Sequence, residues 1–190
     1  MELCLKTKKN LPEEIYSDME KQFPPEELKT FTELNNLLHG NFYKFAMFYN
    51  ADEPVGYVFF LQNDYIWIDY IAVFEKFHSK GYGSRILNLI FIKYSNLKGC
   101  FFEVEPEDSD NIQTVKRMNF YKKLGCKKLD FEYYFPNEIK ELRLELLYKP
   151  FNEKIPDKNE IKKQINFVFE NLHTFVKTKD STLNLIESRN

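Results

Sequence analysis

The stretch that decides the fold is IDYIAVFEKFHSKGYGSRIL, residues 68–87. It begins as an apolar, β-prone segment, continues as a short basic turn, and ends where apolar residues take helical spacing. The chain has only six glycines, and two of them, Gly81 and Gly83, lie one residue apart in this turn. Glycine loses more chain entropy on folding than other residues, so this pair indicates a sharp bend or a group that approaches the backbone closely.

A basic, glycine-containing turn between a strand and a helix is a candidate phosphate site. The first amides of a helix point outward unpaired, and the helix dipole adds positive potential there. Glycines omit the Cβ atoms that would keep a pyrophosphate away from these amides. Ser84 adds a hydroxyl donor, and Lys80 and Arg85 add positive charge. A plain strand-to-helix turn, with glycine for geometry and lysine for solubility, explains the same residues equally well.

The glycine pair does not complete either of two common phosphate-binding motifs. No G-x-x-x-x-G-K-[ST] loop occurs in the chain, and Ile86 occupies the third glycine position of a dinucleotide-binding G-x-G-x-x-G. The turn alone therefore leaves the phosphate site and the plain turn as open alternatives.

Length and composition predict one ordinary folded domain with few classes of partner. The 190 residues are 43% hydrophobic and 29% charged, which is enough to bury a core without disulfides. The net charge of −2 gives no reason to expect nucleic acid or a membrane as partner, and no apolar run approaches the ~18 residues that span a bilayer. Cys4, Cys100 and Cys126 lack metal-ligand spacing, and the N-terminus lacks a hydrophobic signal region. We therefore expect a cytoplasmic protein with reduced thiols and no metal.

Strand and helix patterns alternate in mixed order along the chain. The predicted strands are residues 2–6, 41–50, 54–63, 65–73, 100–105, 126–135 and 141–149. Helices are predicted to begin at Pro12 and at Pro25, to follow the glycine turn, and to run from residue 111 to 124 before Gly125. Such a mixture around one sheet predicts an α/β or α+β sandwich with an antiparallel half.

The C-terminal segment reads as an amphipathic helix. Asp157 and Glu160 have the spacing of a capping box, and an apolar stripe follows. This helix either packs on the core or offers a surface to a partner. We expect a domain at residues 1–150 and a helical extension at residues 151–190.

Three segments together resemble motifs of the GCN5-related N-acetyltransferases (GNAT). In that family a strand ending in Ala-Val leads through a short spacer to [Q/R]-x-x-G-x-[G/A], which opens a helix, as IAVFEKFHSKGYGS does here. FFEVE (residues 101–105) resembles the family's Leu-Glu-Val strand, and RMNFYKKLGC (residues 117–126) resembles its F-Y-x-x-x-G-F motif. The chain departs from the pattern at His78, which replaces Gln or Arg, at Thr114, which replaces a frequent Asn, and at Cys126, which replaces an aromatic residue.

The resemblance implies the fold and the cosubstrate. The fold is a mixed, mostly antiparallel sheet of six or seven strands, flanked by helices and splayed between its central strands. The cosubstrate is acetyl-CoA, whose pantetheine amides would bond the backbone of Ile71, Ala72 and Val73. Its pyrophosphate would lie on the turn residues His78, Ser79, Lys80, Gly81, Tyr82, Gly83, Ser84 and Arg85. Further cofactor-binding candidates are Thr114, Arg117, Phe120 and Tyr121.

The resemblance also implies transfer of an acetyl group to a primary amine of a small molecule or peptide. An alkylamine with a pKa of ~10.4 is protonated at neutral pH, so a carboxylate is needed to accept its proton. Glu103 is the preferred base because it matches the base of some relatives that act on peptide N-termini, and Glu105 and Asp69 are the other candidates. Tyr121 occupies the slot of the family's general acid and would protonate the departing thiolate.

Two alternatives concern what the site does and what it accepts. A CoA-binding protein without turnover, such as a sensor or an interaction module, is compatible with His78 and with the open choice of base. Carboxylates from Glu103 to Asp110 would attract a cationic amine acceptor, although a solvated loop explains residues 107–110 better. A homodimer is possible.

Overall fold

The computed structural model describes residues 3–137 and 142–190, which form one seven-stranded sheet flanked by six helices. The first half contains β1 (Leu3–Lys8), α1 (Glu13–Gln22), α2 (Phe31–Leu38), β2 (Tyr43–Asn50), β3 (Glu53–Gln62) and β4 (Ile66–Val73). The second half contains α3 (Tyr82–Lys93), β5 (Gly99–Val104), α4 (Ile112–Lys123), β6 (Lys127–Phe135), β7 (Leu142–Pro150), α5 (Lys158–Asn171) and α6 (Lys179–Arg189).

The central strands β4 and β5 separate along their length. The strand order is β1-β2-β3-β4-β5-β7-β6, and every neighbouring pair is antiparallel except β4 and β5. These two parallel strands pair at only three positions, from Ile66–Cys100 to Ile68–Phe102, although β4 continues to Val73. The structure thus confirms a mixed, mostly antiparallel sheet that is splayed between its central strands.

The two faces of the sheet carry separate apolar layers. One layer packs α1, α2, α5 and α6 against the sheet, and the other packs α3 and α4 against the opposite face. Side chains alternate between the two layers, as Trp67 and Ile68 do on β4. Burial on both faces explains why β3 and β4 are nearly continuous apolar runs. Among the described residues, no helix combines the length and apolar character that crossing a membrane requires.

The second helix begins later than the sequence predicted. A turn at Pro24, whose carbonyl accepts from the amides of Glu27 and Leu28, replaces the predicted helix start at Pro25. Helix α2 starts at Phe31 because Thr30 and Glu33 form a capping box that satisfies two amides at once. The loop before α2 reaches the open end of β4, where Glu27 lines a cavity.

The C-terminal helix α5 packs on the core, which was one of the two predicted alternatives. Its start at the Asp157–Glu160 capping box is confirmed. Ile165, Val168 and Phe169 are at most 1% exposed and share an apolar layer with the sheet. The division into residues 1–150 and 151–190 stays a prediction.

Helix α6 was not predicted. Its sequence, KDSTLNLIESR, has no apolar stripe, and Ile186 is its single buried residue. The helix lies against β6, where the side chain of Asn190 accepts from the Glu132 amide at 2.9 Å and donates to the Glu132 carbonyl at 3.0 Å. Tertiary contacts of this kind leave no periodic signal in the sequence.

Candidate active site

The glycine turn joins the free end of β4 to α3. After a short 3₁₀ turn at Glu75–Phe77, Ser79 and Gly81 take left-handed backbone angles, with φ of 60° and 76°. Gly81 caps α3, and the Arg85 amide donates the first helical bond to the Gly81 carbonyl. The amides of the three residues between them therefore point beyond the helix end, as an anion site requires.

The side chains of the turn are exposed and partly tied to its own backbone. The Nε2–H of His78 donates to the Val73 carbonyl at 2.7 Å, which links the turn to the end of β4. The Lys80 ammonium donates to the Lys76 carbonyl at 2.7 Å. The guanidinium of Arg85 lies 4.9 Å from the centre of the Tyr82 ring. Positive charge is therefore held close to the exposed amides.

Open space lies beside the exposed amides of the turn. A Cβ at Gly81 would meet no atom within 4 Å, so space is open beside this residue. At Gly83 a Cβ would lie 3.4 Å from the ring of Phe120, which places α4 against the start of α3. Residues 70–73 of β4 pair with β3 but have no partner on the β5 side among the described strands. On this edge, Ile71 and Ala72 have no strand partner on the β5 side, and the Val73 carbonyl accepts from His78.

All four candidates for catalysis line one cavity. The cavity has a volume of about 380 Å³ and lies where β4 and β5 separate, between the loop after α1 and helix α4. Asp69, Glu103, Glu105 and Tyr121 contribute to its wall, as do Ile71 and Arg117.

Glu103 is held at both carboxylate oxygens and still contacts the cavity. The hydroxyl of Tyr133 donates to Oε1, and the indole N–H of Trp67 donates to Oε2 at 3.2 Å. Burial raises the pKa of Glu103 to about 7, against the opposing effect of the Tyr133 hydrogen bond. A carboxyl group that titrates near neutral pH is suited to general base catalysis.

Asp69 belongs to a buried ion pair. Its carboxylate accepts from the ammonium of Lys29 at 3.0 and 3.3 Å and from the hydroxyl of Tyr43 at 2.5 Å. The side chains of Lys29 and Asp69 are only 10% and 3% exposed. Burial alone would lower the pKa of Lys29, but the adjacent carboxylate raises it overall. The ion pair that the sequence left as an alternative for Asp69 is thus present.

Replacement of Lys29 by methionine is expected to lower the free energy of unfolding by about 3–5 kcal/mol, because it leaves a buried carboxylate without its cation. The measurement is urea denaturation at neutral pH. Lys122→Met is the matched control, because Lys122 forms an ion pair with Glu107 in which both side chains are about half exposed. That control should cost less than about 1 kcal/mol. Equal losses in the two variants would contradict the assignment of a buried pair.

Glu105 lies at the rim of the cavity in an exposed ion pair. Its carboxylate accepts from the guanidinium of Arg117, and the two side chains are 43% and 50% exposed. One turn further along α4, Lys122 pairs with Glu107 at 3.2 Å. Part of the acidic run is therefore neutralised by α4, and Arg117 lines the cavity.

Thr114 builds the turn that precedes α4. Its hydroxyl accepts from the Asp108 amide at 2.9 Å and donates to the Asn111 carbonyl at 2.8 Å. The residue is 4% exposed. In this conformation the hydroxyl is already engaged within the protein.

Tyr121 presents a buried phenol to the cavity. Its ring packs 4.8 Å from Phe102 and 5.3 Å from Phe120, and the residue is 8% exposed. Burial, with a smaller contribution from Cys126, raises the pKa of Tyr121 above its ordinary value. The phenol therefore stays protonated at neutral pH and can donate its proton.

The three cysteines form no disulfide bond. Cys100 and Cys126 are buried. Burial raises the pKa of Cys126 to about 12, so it stays a thiol. Within residues 3–137 and 142–190, no group of three or more His, Cys, Asp or Glu side chains is arranged to hold a metal ion.

Sequence comparison identifies acetyltransferases as relatives. The profile of the Acetyltransferase (GNAT) family matches residues 10–126. The chain is also 27% identical over 167 residues to YjbC of Bacillus subtilis (strain 168), a proposed acetyltransferase; the match covers 84% of this chain and 81% of that protein.

Solved structures share the fold. A proposed GNAT-family acetyltransferase from Bacteroides thetaiotaomicron superimposes with a TM-score of 0.75 at 20% identity, over 92% of this chain and 99% of that one. Spermidine N-acetyltransferase from Vibrio cholerae, solved with CoA and spermine, gives a TM-score of 0.59 at 16% identity, over 80% and 97% of the two chains. At these identities the superpositions establish the fold alone.

Proposed function

Because the chain belongs to the acetyltransferase (GNAT) family, we propose that it transfers the acetyl group of acetyl-CoA to a primary amine of a small molecule or peptide. One observation carries the proposal: β4 and β5 separate where Glu103 and Tyr121 line the cavity. The glycine turn lies at the end of the same strand. A cosubstrate held by the turn would therefore reach the carboxylate and the phenol along the unpaired edge of β4.

Acetyl-CoA would supply an acetyl group activated as a thioester. The amides of Tyr82, Gly83 and Ser84 would bind its pyrophosphate, and Lys80 and Arg85 would add positive charge. Backbone groups of Ile71 to Val73 would bond the pantetheine arm and aim its end into the cavity. An N–H of that edge would also donate to the carbonyl oxygen as it gains negative charge.

Glu103 and Tyr121 would handle the two protons of the reaction. Glu103 accepts the proton that the ammonium form must lose before the amine can attack, and releases it to solvent. Tyr121 donates a proton to the departing thiolate. The proton that the nitrogen loses after the attack then returns Tyr121 to its neutral form through solvent. An unperturbed phenol has a pKa of ~10 and an unperturbed thiol a pKa of ~8.5. Proton transfer from the phenol to the thiolate therefore costs only about 2 kcal/mol. Burial raises the pKa of Tyr121, and a thiolate released in the same buried cavity would have its pKa raised by the same cause.

The contacts of the three carboxylates favour Glu103 as the base. Asp69 accepts hydrogen bonds from Lys29 and Tyr43, so its charge is already neutralised. Glu105 is exposed and paired with Arg117. Glu103 has no cation bonded to it among the described residues and has the pKa of about 7 that a base at neutral pH needs.

The charge of the cavity favours a cationic acceptor. Its wall carries the carboxylates of Glu27, Asp69, Glu103 and Glu105. Lys29 neutralises Asp69 and Arg117 neutralises Glu105, which leaves Glu27 and Glu103 without a bonded cation among the described residues. Burial raises the pKa of Glu27, and repulsion from Glu105 adds to this effect. A protonated amine is attracted to such a cavity and can lose its proton there.

Tyr121→Phe tests the proposal. We expect the variant to reduce kcat by about 10- to 100-fold, since general acid catalysis commonly contributes 100-fold or more and a thiolate is a fair leaving group without it. CoA affinity should not change. The measurement is thiol release from acetyl-CoA with a panel of amines, alongside calorimetric titration with CoA. Tyr94→Phe is the matched control. Tyr94 lies at the C-terminal end of α3, away from the glycine turn, and packs on Phe60.

Two results would count against this proposal. Full turnover in Tyr121→Phe would remove the phenol from the mechanism. Tight CoA binding by the wild-type protein without transfer to any amine would favour the alternative, a CoA-binding module without turnover.

A further inference from the structure

The buried contacts of Glu103 extend beyond the sheet into the C-terminal helix. We infer that Tyr133 is a positioning residue that holds the carboxylate of Glu103 toward the cavity, and that α5 supports catalysis by holding Tyr133 in place. The inference rests on the proposed function, because Glu103 is the base of that reaction. It gives the C-terminal segment a role in the chemistry and adds a residue that the sequence did not indicate.

Two hydrogen bonds fix the carboxylate of Glu103. Tyr133 donates to one oxygen of Glu103 and Trp67 donates to the other. Each carboxylate oxygen has two lone pairs, so one lone pair on each remains available to a proton from the acceptor. Two fixed donors prevent the carboxylate from rotating, while the side still open to the cavity can accept a proton.

Aromatic rings pack against the phenol ring of Tyr133 and hold it in place. The ring of Tyr133 is fully buried, with the ring of Trp67 at 5.8 Å and that of Phe169 at 6.5 Å between centroids. Phe169 belongs to α5 and is itself fully buried. Its ring meets that of Tyr133 edge to face, so α5 closes one side of the space that the phenol occupies.

A buried tyrosine hydroxyl in this layer can be satisfied by a backbone carbonyl and does not require a carboxylate. Tyr148, in the same apolar layer, places its hydroxyl on the Lys98 carbonyl at 2.8 Å. Tyr133 instead bonds a carboxylate that lines the cavity and has no cation bonded to it among the described residues. Both β6 and α5 lie beyond residue 126, where the family match ends.

Tyr133→Phe tests the inference because it keeps the ring and removes the donor. A donor to a carboxylate stabilises the charged form, so its loss raises the pKa of Glu103. We expect the acid limb of the kcat/KM–pH profile to move up by about one pH unit, the size expected for one hydrogen bond to a charged group. The pKa should move equally when it is read directly from the ¹³C carboxyl resonance of Glu103, assigned with Glu103→Gln.

Tyr148→Phe is the matched control. It removes a hydroxyl and one hydrogen bond from the same apolar layer, so it should cost similar stability. It should leave both the pH profile and the Glu103 resonance in place. A Glu103 resonance that titrates as in the wild type in folded Tyr133→Phe overturns the inference, as does an equal shift in Tyr148→Phe.

The role of α5 is tested by Phe169→Leu. We expect a shift in the same direction as in Tyr133→Phe but smaller, because the phenol keeps its hydroxyl and loses only its support. Ile161→Ala is the control, since Ile161 is a buried residue of α5 about two turns away. Both should destabilise the fold, and only Phe169→Leu should shift the titration. No shift in Phe169→Leu overturns the part assigned to α5.

These readouts separate the inference from the proposed function. If the wild-type protein acetylates no amine, the proposed function fails. The carboxyl titration still decides whether Tyr133 and α5 hold Glu103, because it needs neither cosubstrate nor acceptor.

Discussion

Replacement of Glu103 by glutamine is expected to lower kcat/KM for the amine by about 100- to 10,000-fold at pH 7, the range that a general base contributes. Glutamine keeps the size of the side chain and cannot take the proton. The fold should tolerate it, because the Tyr133 hydroxyl can accept from the new amide while Trp67 still donates to its oxygen. CoA affinity should be unchanged.

Glu103→Gln should also alter the pH dependence of kcat/KM. The base must be ionised, so wild-type activity should fall as the pH drops through about 7, the pKa of Glu103. A limb set by an ordinary glutamate would lie near ~4.3 instead. Glu103→Gln should lack this limb and retain only the dependence set by the amine.

Glu105→Gln distinguishes between the candidate bases. Because Glu105 is exposed and paired with Arg117, its replacement should change kcat/KM by less than about tenfold, through the charge of the rim. Steady-state kinetics from pH 5 to 10 check both variants. A large loss in Glu105→Gln together with near wild-type rates in Glu103→Gln would contradict the assignment of the base.

Replacement of Gly83 by aspartate is expected to weaken CoA binding by at least about 100-fold. Two negative charges about 4 Å apart near a protein surface repel by about 4 kcal/mol, and salt reduces this only in part. The new carboxylate would also compete for the amides at the start of α3. Calorimetric titration with CoA measures the effect.

The fold should tolerate Gly83→Asp. The new Cβ would lie at ordinary contact distance from Phe120, and an acid in the first turn of a helix is favourable. Gly83→Asn is the matched control, with the same shape and no charge, and should lose much less affinity. Unchanged CoA affinity in a folded Gly83→Asp would place the pyrophosphate elsewhere.

Local sequence patterns predicted most of the fold. They failed where a stronger helix cap or a tertiary contact determined where a helix forms. The hairpin before residue 65, the glycine turn and the helix ending at Gly125 follow from apolar periodicity and glycine placement. The helix expected at Pro25 starts after Thr30, since its capping box satisfies more amides than a proline start does. Helix α6 depends on contacts with β6 and has no apolar stripe.

The candidate site was predictable only as far as motifs reach. Gly81, Gly83 and Tyr121 stand in motif positions, and Glu103 follows from its place in FFEVE. The side chains that bond Asp69 and Glu103 come from 26 to 40 positions away, and in the sequence they read as ordinary strand or loop residues. Long-range contacts of this kind have no periodicity, which is why the sequence did not indicate Lys29, Tyr43, Trp67 and Tyr133.

A crystal structure of the protein with CoA tests the central claim most directly. We expect the pyrophosphate within hydrogen-bonding distance of the amides of residues 82–84 and the pantetheine along the unpaired edge of β4. The sulfur should lie in the cavity between Glu103 and Tyr121. A CoA molecule bound away from the glycine turn, or one whose sulfur points away from the gap between β4 and β5, would contradict the account.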